Sequence, residues 1–150
     1  MGQSSIEVIA RAVIRVGPKV LLAQPTGSSW YFLPGGHVEF GEPAARALRR
    51  ELAEELGVAD VEVGDLLAVT ETRYADARGD HHEVNLVFDV TAAGVEGRSR
   101  EAHLQFRWVD LSELEDLEIR PAPVAELVRT RLAGPRVPVL CEGFEGPNPG

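Results

Sequence analysis

Three glutamates lie close together in one short segment of the chain, at Glu51, Glu54 and Glu55. Residues three and four apart share one face of an α-helix, so a helix here would place the three carboxylates within an arc of about 100°. Clustered carboxylates repel one another, and hard oxygen ligands of this kind suit Mg²⁺, with Mn²⁺ close behind. The cluster indicates a divalent-metal site, and a solvated acidic helix face is the alternative interpretation.

A helix over Pro43–Leu56 is predicted to position these carboxylates. Proline is tolerated in a first helical turn because its missing N–H would have no partner there, and Gly57 follows the predicted end. The apolar residues of this segment recur at three- and four-residue intervals and form one stripe: Ala45, Leu48, Leu52 and Leu56. This stripe lies beside the carboxylate arc, so the helix can pack on a sheet and still present its carboxylates at the edge of a cleft.

Two further charged residues flank the cluster. Glu42 precedes the helix, where the helix dipole favours an acid, and Arg50 is the nearest cation in sequence to the glutamates. We predict an ion pair between Glu42 and Arg50 that acts as a structural brace.

The surrounding elements indicate the fold class. Stretches rich in β-branched residues predict strands at 5–16, 19–24, 61–74, 83–92 and 103–111, and a second helix is predicted over 121–132. One early and one late helix among many strands favour a mixed sheet with helices packed against it. We expect one α/β domain over residues 1–133 and a Pro/Gly-rich C-terminal tail over residues 134–150.

Composition narrows the class of protein. The 150 residues are 44% hydrophobic, enough for the core of one domain. The net charge of −9 argues against a basic nucleic-acid-binding face, whereas a divalent cation can still join carboxylates to an anionic small molecule. The single cysteine, Cys141, cannot form an internal disulfide, and no stretch approaches the roughly 20 apolar residues of a membrane span. The N-terminus lacks the features of a signal peptide, so we expect a cytoplasmic protein with no nucleic-acid or membrane partner.

Read from Gly36 to Val58, the spacing resembles the Nudix box. All fixed positions match, and chance would produce such a match in about 10⁻⁸ of windows. They are Gly36, Glu42, Arg50, Glu51, Glu54, Glu55 and Gly57, with Leu52 and Val58 in the aliphatic positions. The order of strands and helices extends the resemblance over residues 6–132. It implies a Nudix-type α/β/α sandwich, with a mixed central sheet and helices on both faces.

The resemblance also implies roles for the box residues. In Nudix enzymes the box presents its glutamates to a divalent metal, here expected to be Mg²⁺ with Mn²⁺ as a possible substitute. Carried over, Glu51 and Glu55 would be ligands, Glu54 would be a ligand or activate water, and the Gly36 carbonyl would complete the coordination shell. The reaction would be attack of metal-activated water on one phosphorus of a diphosphate, with Arg50 counted among the catalytic residues.

The general base lies inside the box or on a later loop in members of this family. Glu101, just before a predicted strand, is the candidate outside the box, and an ordinary surface glutamate is the alternative interpretation of this residue. Glu83 has no stronger claim.

Substrate contacts are predicted at four positions. Gln24 ends the second strand where many Nudix relatives carry a basic residue, and Arg11 is the first candidate to replace it because strand alternation can point it into the cleft. A base needs an aromatic face on which to stack, which Phe32 and Tyr74 can offer. Tyr74 stands 16 residues after Val58, a position that resembles the marker of diadenosine-polyphosphate hydrolases. His37 lies inside the box and can approach substrate.

Three functions are compatible with this pattern. The first is hydrolysis of a nucleoside diphosphate linked to another moiety, such as ADP-ribose or a dinucleoside polyphosphate. The second is pyrophosphohydrolysis of nucleoside triphosphates in a pool-sanitising role. The third is a catalytically silent nucleotide-binding sensor, which the complete set of box glutamates disfavours. Family members are often homodimers, so a second copy of the chain is a further possible partner.

Overall fold

The computed structural model describes residues 5–130, residue 132 and the strand at 139–144. Within these residues the chain forms two α-helices, α1 (Ala44–Leu56) and α2 (Ala122–Thr130), and a short 3₁₀-helix at Leu111–Asp116. Seven strands form one sheet: β1 (Ile6–Val16), β2 (Lys19–Pro25), β3 (Gly35–His37), β4 (Val61–Asp76), β5 (Gly79–Ala92), β6 (Leu104–Asp110) and β7 (Val139–Phe144).

The sheet is mixed, and strand β1 changes partners along its length. The strand order is β6-β2-β1-β5-β4-β7, and β3 pairs with β1 outside this path. Strand β1 runs parallel to β5 from Ile6 to Ile14, whereas its last two residues pair antiparallel with β2. Strand β3 pairs antiparallel with the Ile9–Arg11 part of β1. The short strand β3 leads into α1 and therefore fixes the start of the loop that precedes this helix.

A hydrophobic core lies on each face of the sheet. Helix α1 packs Leu48 and Leu52 against Ala10, Ala12 and Ile14 of β1. On the opposite face, α2 forms a second core with the intervening residue of β1 and with residues of β4 and β5. This core contains Val13 of β1, Ala68 of β4, Val87 of β5, and Val124, Leu127 and Val128 of α2. Each fully buried valine or leucine side chain stabilises the fold by about 1.5–3 kcal/mol. The α/β/α sandwich with a mixed sheet is thereby confirmed.

Helix α1 begins one residue later than the sequence pattern predicts. Pro43 is in an extended conformation (φ −62°, ψ 143°) and is the N-cap residue, so it precedes the first helical turn. At the other end, Gly57 adopts a left-handed conformation (φ 68°) and its N–H donates to the Ala53 carbonyl at 2.9 Å, which ends the helix where predicted.

The buried face of α1 differs from the predicted stripe. It consists of Ala47, Leu48, Leu52 and Glu55, and the half-buried Leu56 packs against the same core. Ala45, the remaining member of the predicted stripe, is only half-buried, because the prediction used hydrophobicity alone. The structure instead turns a carboxylate toward the protein interior.

The predicted tail contains a strand that joins the domain. Residues Val139–Phe144 form β7, which runs parallel to β4 at the edge of the sheet between Ala68 and Arg73. The boundary at residues 133 and 134 remains a prediction, and residues 133–138 and 145–150 lie outside the described residues. Within the described residues, no helix is long and apolar enough to cross a membrane.

Candidate active site

A network centred on Arg50 holds the loop before α1 against the helix. The guanidinium donates from Nε to Glu42 Oε2 and from Nη2 to Glu42 Oε1, both at 2.9 Å, so the contact is bidentate. Arg50 Nη2 also donates to the His37 carbonyl at 3.1 Å. The hydrogen bond from Arg50 is the main reason that the pKa of Glu42 lies below its usual value. The structure thus contains the ion pair expected between these two residues.

The carboxylate of Glu51 lies directly against the backbone of β3. A Cβ built on Gly36 would stand 2.4 Å from Glu51 Cδ and 2.6–2.7 Å from its two oxygens, so any side chain at position 36 would displace this carboxylate. On its other side, Glu51 Oε1 accepts from Arg50 Nη1 at 2.9 Å. Glycine at position 36 therefore makes room for the Glu51 carboxylate against the backbone of β3.

Glu55 is the buried acid of the cluster. It is 5% exposed, and its Oε2 has no hydrogen-bond partner in the structure. Burial, followed by the negative charge of the neighbouring Glu51, raises the pKa of Glu55 to about 8. An unpaired buried polar group costs about 1–3 kcal/mol, and a charged one costs more. Such an arrangement favours either a proton or a cation between Glu51 and Glu55.

Glu54 stands apart from this pair. Its side chain is 53% exposed, and its Oε1 lies 3.8 Å from Arg50 Nη1. Among the described residues, no three acidic, histidine or cysteine side chains are arranged as a ready-made metal-ligand cluster. One oxygen of Glu51 already accepts a hydrogen bond from Arg50, and Glu54 is exposed to solvent. The structure brings two of the three predicted ligands together and leaves the third at the rim.

These residues fit a hard divalent cation. The unpartnered Oε2 of Glu55, the adjacent carboxylate of Glu51 and the backbone of Gly36 supply oxygen atoms only, which is the ligand type that Mg²⁺ and Mn²⁺ prefer. A cation here would also neutralise the repulsion between two acids that the fold holds side by side.

Glu101 lies on a loop that is tied to the end of α1. The N–H of Arg100 donates to the Glu55 carbonyl at 2.7 Å, and the charge of Glu101 is among the causes that raise the pKa of Glu55. Glu101 Oε2 is 3.0 Å from His103 Nε2, and its side chain is about one-third exposed. The sequence-based candidate outside the box is therefore near the carboxylate pair.

Arg11 projects from β1 into the same region. Its Nε donates to Asn85 Oδ1 and its Nη1 to the Leu33 carbonyl, each at 3.1 Å, and its guanidinium lies 5.3 Å from the ring centroid of Phe32. Burial lowers the pKa of Arg11, while the negative charges of Glu83 and Glu55 act in the opposite direction. Arginine nevertheless keeps its charge in such a position and can bind phosphate oxygens.

The remaining predicted substrate contacts occupy separate positions. His37 is exposed and its Nε2 is 3.1 Å from Glu7 Oε1, so its ring is directed to the start of β1. Tyr74 stacks on His81, with ring centroids 4.7 Å apart, and its hydroxyl donates to Glu83 Oε1 at 2.9 Å. Burial and this hydrogen bond raise the pKa of Tyr74.

Four polar residues of β4 and β5 form a group that the sequence did not predict, although Glu83 alone was considered as a possible base. Thr70, Thr72, Glu83 and Asn85 are all buried. The alternation of side chains along a strand could have revealed this group. Polar residues stand two apart on each strand and so share one face: Thr70, Thr72 and Tyr74 on β4, and Glu83 and Asn85 on β5. The surrounding β-forming residues indicated strands but not that one face turns polar.

Comparisons with known proteins agree with this geometry. The chain matches the model of the NUDIX domain over residues 7–128. It is 40% identical over 133 residues to a putative 8-oxo-dGTP diphosphatase 2 of Mycobacterium tuberculosis, covering 82% of this chain and 88% of that protein. It is 31% identical over 113 residues to an ADP-ribose pyrophosphatase of Methanocaldococcus jannaschii, covering 73% and 65%.

A solved structure shares the same architecture. The solution structure of the E. coli ORF135 protein superimposes with a TM-score of 0.60 at 26% identity, covering 87% of this chain and 96% of that one. With a family model that spans most of its length and relatives named as diphosphatase and pyrophosphatase, the chain belongs to the Nudix hydrolase family.

Proposed function

We propose that this protein is a divalent-metal-dependent diphosphatase that hydrolyses a phosphoanhydride bond of a nucleoside triphosphate. The observation that carries the proposal is the pair of adjacent carboxylates, Glu51 against Gly36 and the buried Glu55 with an unpartnered oxygen. A fold that holds two acids together at this cost to stability gains from a bound cation.

In this proposal Glu51, Glu55 and the Gly36 carbonyl hold Mg²⁺, and Mn²⁺ can replace it. When bound, such a cation would stabilise the charge that grows on the phosphate oxygens and would lower the pKa of a bound water. Arg50 acts as a positioning residue, since it fixes Glu51 and is itself anchored by Glu42. Arg11 provides a fixed positive charge for phosphate oxygens beside the carboxylate pair.

Glu54 is the first candidate for the general base. It lies on the same helix face as the cation ligands, yet it is exposed enough to exchange a proton with solvent. Glu101 is the second candidate, because its charge reaches Glu55 from the adjoining loop. Comparing Glu54→Gln with Glu101→Gln assigns the role: the base is the residue whose loss lowers kcat while metal affinity is unchanged.

The choice of a triphosphate rests on the relatives. The protein with 40% identity and the higher coverage is named a putative 8-oxo-dGTP diphosphatase, which favours a modified or ordinary nucleoside triphosphate. The relative with 31% identity is named an ADP-ribose pyrophosphatase, and it makes a nucleoside diphosphate linked to a sugar the second candidate.

A substrate panel tests the proposal. Canonical nucleoside triphosphates, 8-oxo-dGTP, ADP-ribose and dinucleoside polyphosphates are incubated with Mg²⁺ or Mn²⁺, and the nucleotide and phosphate products are identified by chromatography. We expect release of a nucleoside monophosphate and pyrophosphate from triphosphates. Ligand binding without any product would indicate a sensor and overturn the proposal. We also retain a cytoplasmic location and a homodimer as predictions, the second open to analytical ultracentrifugation.

A further inference from the structure

Six polar residues form a continuous row across three strands of the sheet. In the strand register Asn85 lies opposite Thr70 and Glu83 opposite Thr72, so these four side chains share one face. Two hydrogen bonds extend the group at its ends, one from Arg11 to Asn85 and one from Tyr74 to Glu83. We call this group the polar row: Arg11, Thr70, Thr72, Tyr74, Glu83 and Asn85.

The polar row contains hydrogen-bonding capacity that the protein does not use. Thr70 Oγ1, Thr72 Oγ1 and Asn85 Nδ2 have no partner among the protein atoms, although these residues are 0%, 5% and 0% exposed. Buried polar groups are nearly always hydrogen-bonded in native structures, so three unpartnered atoms in one row indicate a missing partner. Two of the atoms belong to hydroxyls, which donate and accept, and the amide nitrogen only donates.

The polar row lies on the face of the sheet that α2 covers, whereas α1 packs on the other face. Arg11 links the row to the strand next to the carboxylate pair, because it pairs with Gly35 of β3 and its Nη1 donates to the Leu33 carbonyl at 3.1 Å. Arg11 and Tyr74 are partly buried, and each is more exposed than the residues between them, so the row is most accessible at its ends. A ligand whose diphosphate lies at Glu51 and Glu55 would pass Arg11 at the β3 edge of the sheet to reach the row.

We infer that the polar row binds the base of the substrate and selects a base that presents a carbonyl next to N–H donors, as guanine does. The Glu83 carboxylate keeps acceptor capacity beyond its bond to Tyr74 and can accept from a ring N–H and an amino group. Asn85 Nδ2 can donate to the base carbonyl, about 7 Å farther along β5. This inference rests on the proposed function and names the residues that choose among its substrates.

Adenine presents the opposite pattern to the same groups. Its ring nitrogen would set a lone pair against the carboxylate of Glu83, and its amino group would meet the donating Asn85 Nδ2. Sites built to hydrogen-bond one pattern reject the other because buried polar groups are left unpaired.

The experiment compares binding of the product nucleotides dGMP and dAMP by calorimetry, without added metal, so that the readout is independent of turnover. We expect the wild type to bind dGMP at least about tenfold more tightly than dAMP, and Glu83→Gln to remove most of this preference. The matched control is Glu71→Gln, a neighbouring acid of β4 on the opposite face of the sheet. In turnover, Glu83→Gln should raise KM for dGTP with kcat little changed.

Thr72→Val provides a second variant, because it removes an unpartnered hydroxyl without altering charge or shape. It should weaken dGMP binding by a few-fold and leave dAMP binding unchanged. Equal binding of both nucleotides by the wild type, or an unchanged preference in Glu83→Gln and Thr72→Val, would overturn the inference. Selective dGMP binding by a protein that hydrolyses no nucleotide would instead overturn only the proposed function.

Discussion

The apolar and the acidic residues buried on helix α1 differ in what burial contributes to the stability of the fold. Leu48 and Leu52 are fully buried against β1, and burial is the source of their contribution to stability. Glu55, on the edge of the same buried face, is almost as inaccessible, and for this carboxylate burial is a cost. The two leucines therefore stabilise the fold, whereas Glu55 lowers its stability in order to hold an acid in a fixed place, as functional sites commonly do.

The largest expected effect comes from removing the charge of Glu55, the buried acid of α1. We expect Glu55→Gln to lower kcat/KM for the substrate at least about 100-fold, since a cation ligand is lost. The control is Glu126→Gln, which changes an exposed acid of α2 and should leave the rate within about twofold. Similar kcat/KM values for Glu55→Gln and Glu126→Gln would show that Glu55 is not part of the active site.

The same variant should have the opposite effect on the stability of the metal-free protein. The pKa of Glu55 is raised from 4.5 to about 8, so the folded state holds a proton that the unfolded state releases. Stability of the wild type therefore falls as pH rises from about 4.5 through 8, whereas the amide has no proton to lose. Melting temperatures in EDTA should favour Glu55→Gln at pH 9 and converge near pH 4. A wild type that is relatively more stable at pH 9 would contradict the sign.

Leu52→Ala tests the contribution of the buried apolar residues of α1 to stability. Truncation of a fully buried leucine leaves a cavity, and we expect a loss of about 2–5 kcal/mol in the free energy of unfolding, measured by urea denaturation. The folded fraction should keep its cation affinity at low temperature. A large loss of cation affinity with little loss of stability would show that Leu52 serves the metal site and not mainly the stability of the fold.

The adjacent glycines Gly35 and Gly36 offer a finer comparison. A Cβ on Gly35 would lie 2.0 Å from the Ala10 carbonyl oxygen, and its φ of +140° suits glycine, so Gly35→Ala should destabilise the fold. The three atoms nearest to a Cβ on Gly36 all belong to the flexible end of Glu51. Gly36→Ala should therefore lower metal affinity about tenfold or more with a minor change in melting temperature. Equal effects of both substitutions on stability would contradict this assignment.

The smallest effect concerns a carboxylate outside the site. Asp76, whose side chain is about half exposed, hydrogen-bonds His81 at 2.8 Å, and this bond is the main cause that raises the pKa of His81 above 6.5. The stabilisation is complete below 6.5 and is lost as pH rises through the folded-state pKa. In NMR titrations Asp76→Asn should lower the His81 midpoint, whereas Asp80→Asn should change it little. Identical midpoints for the two variants would show that Asp76 is not the partner.

Local spacing was sufficient to predict most of α1 and its charged contacts. The period of Leu48 and Leu52, the capping residues and the Glu42–Arg50 pair all depend on residues close in sequence, and the structure contains each of them. The burial of Glu55 was not predictable in this way. It depends on how α1 is rotated against β1 and on the loop bound to its end through Arg100.

The missed features depend on pairing between distant segments. The polar row exists because β4 and β5 pair in a register that places Thr70 opposite Asn85 and Thr72 opposite Glu83. Strand β7 was predicted as part of a tail because its Pro/Gly-rich surroundings disfavour regular structure, yet the free edge of β4 gives it hydrogen-bond partners. Registers and edges of this kind follow from the assembled sheet and leave only a weak local signal.

Cation binding at the carboxylate pair is the central claim, and a titration with Mn²⁺ followed by electron paramagnetic resonance tests it most directly. We expect the wild type to bind Mn²⁺ in competition with Mg²⁺, and Glu51→Gln and Glu55→Gln to lose this binding while Glu126→Gln retains it. Equal Mn²⁺ affinity in all four proteins would contradict the assignment of Glu51 and Glu55 as the metal site.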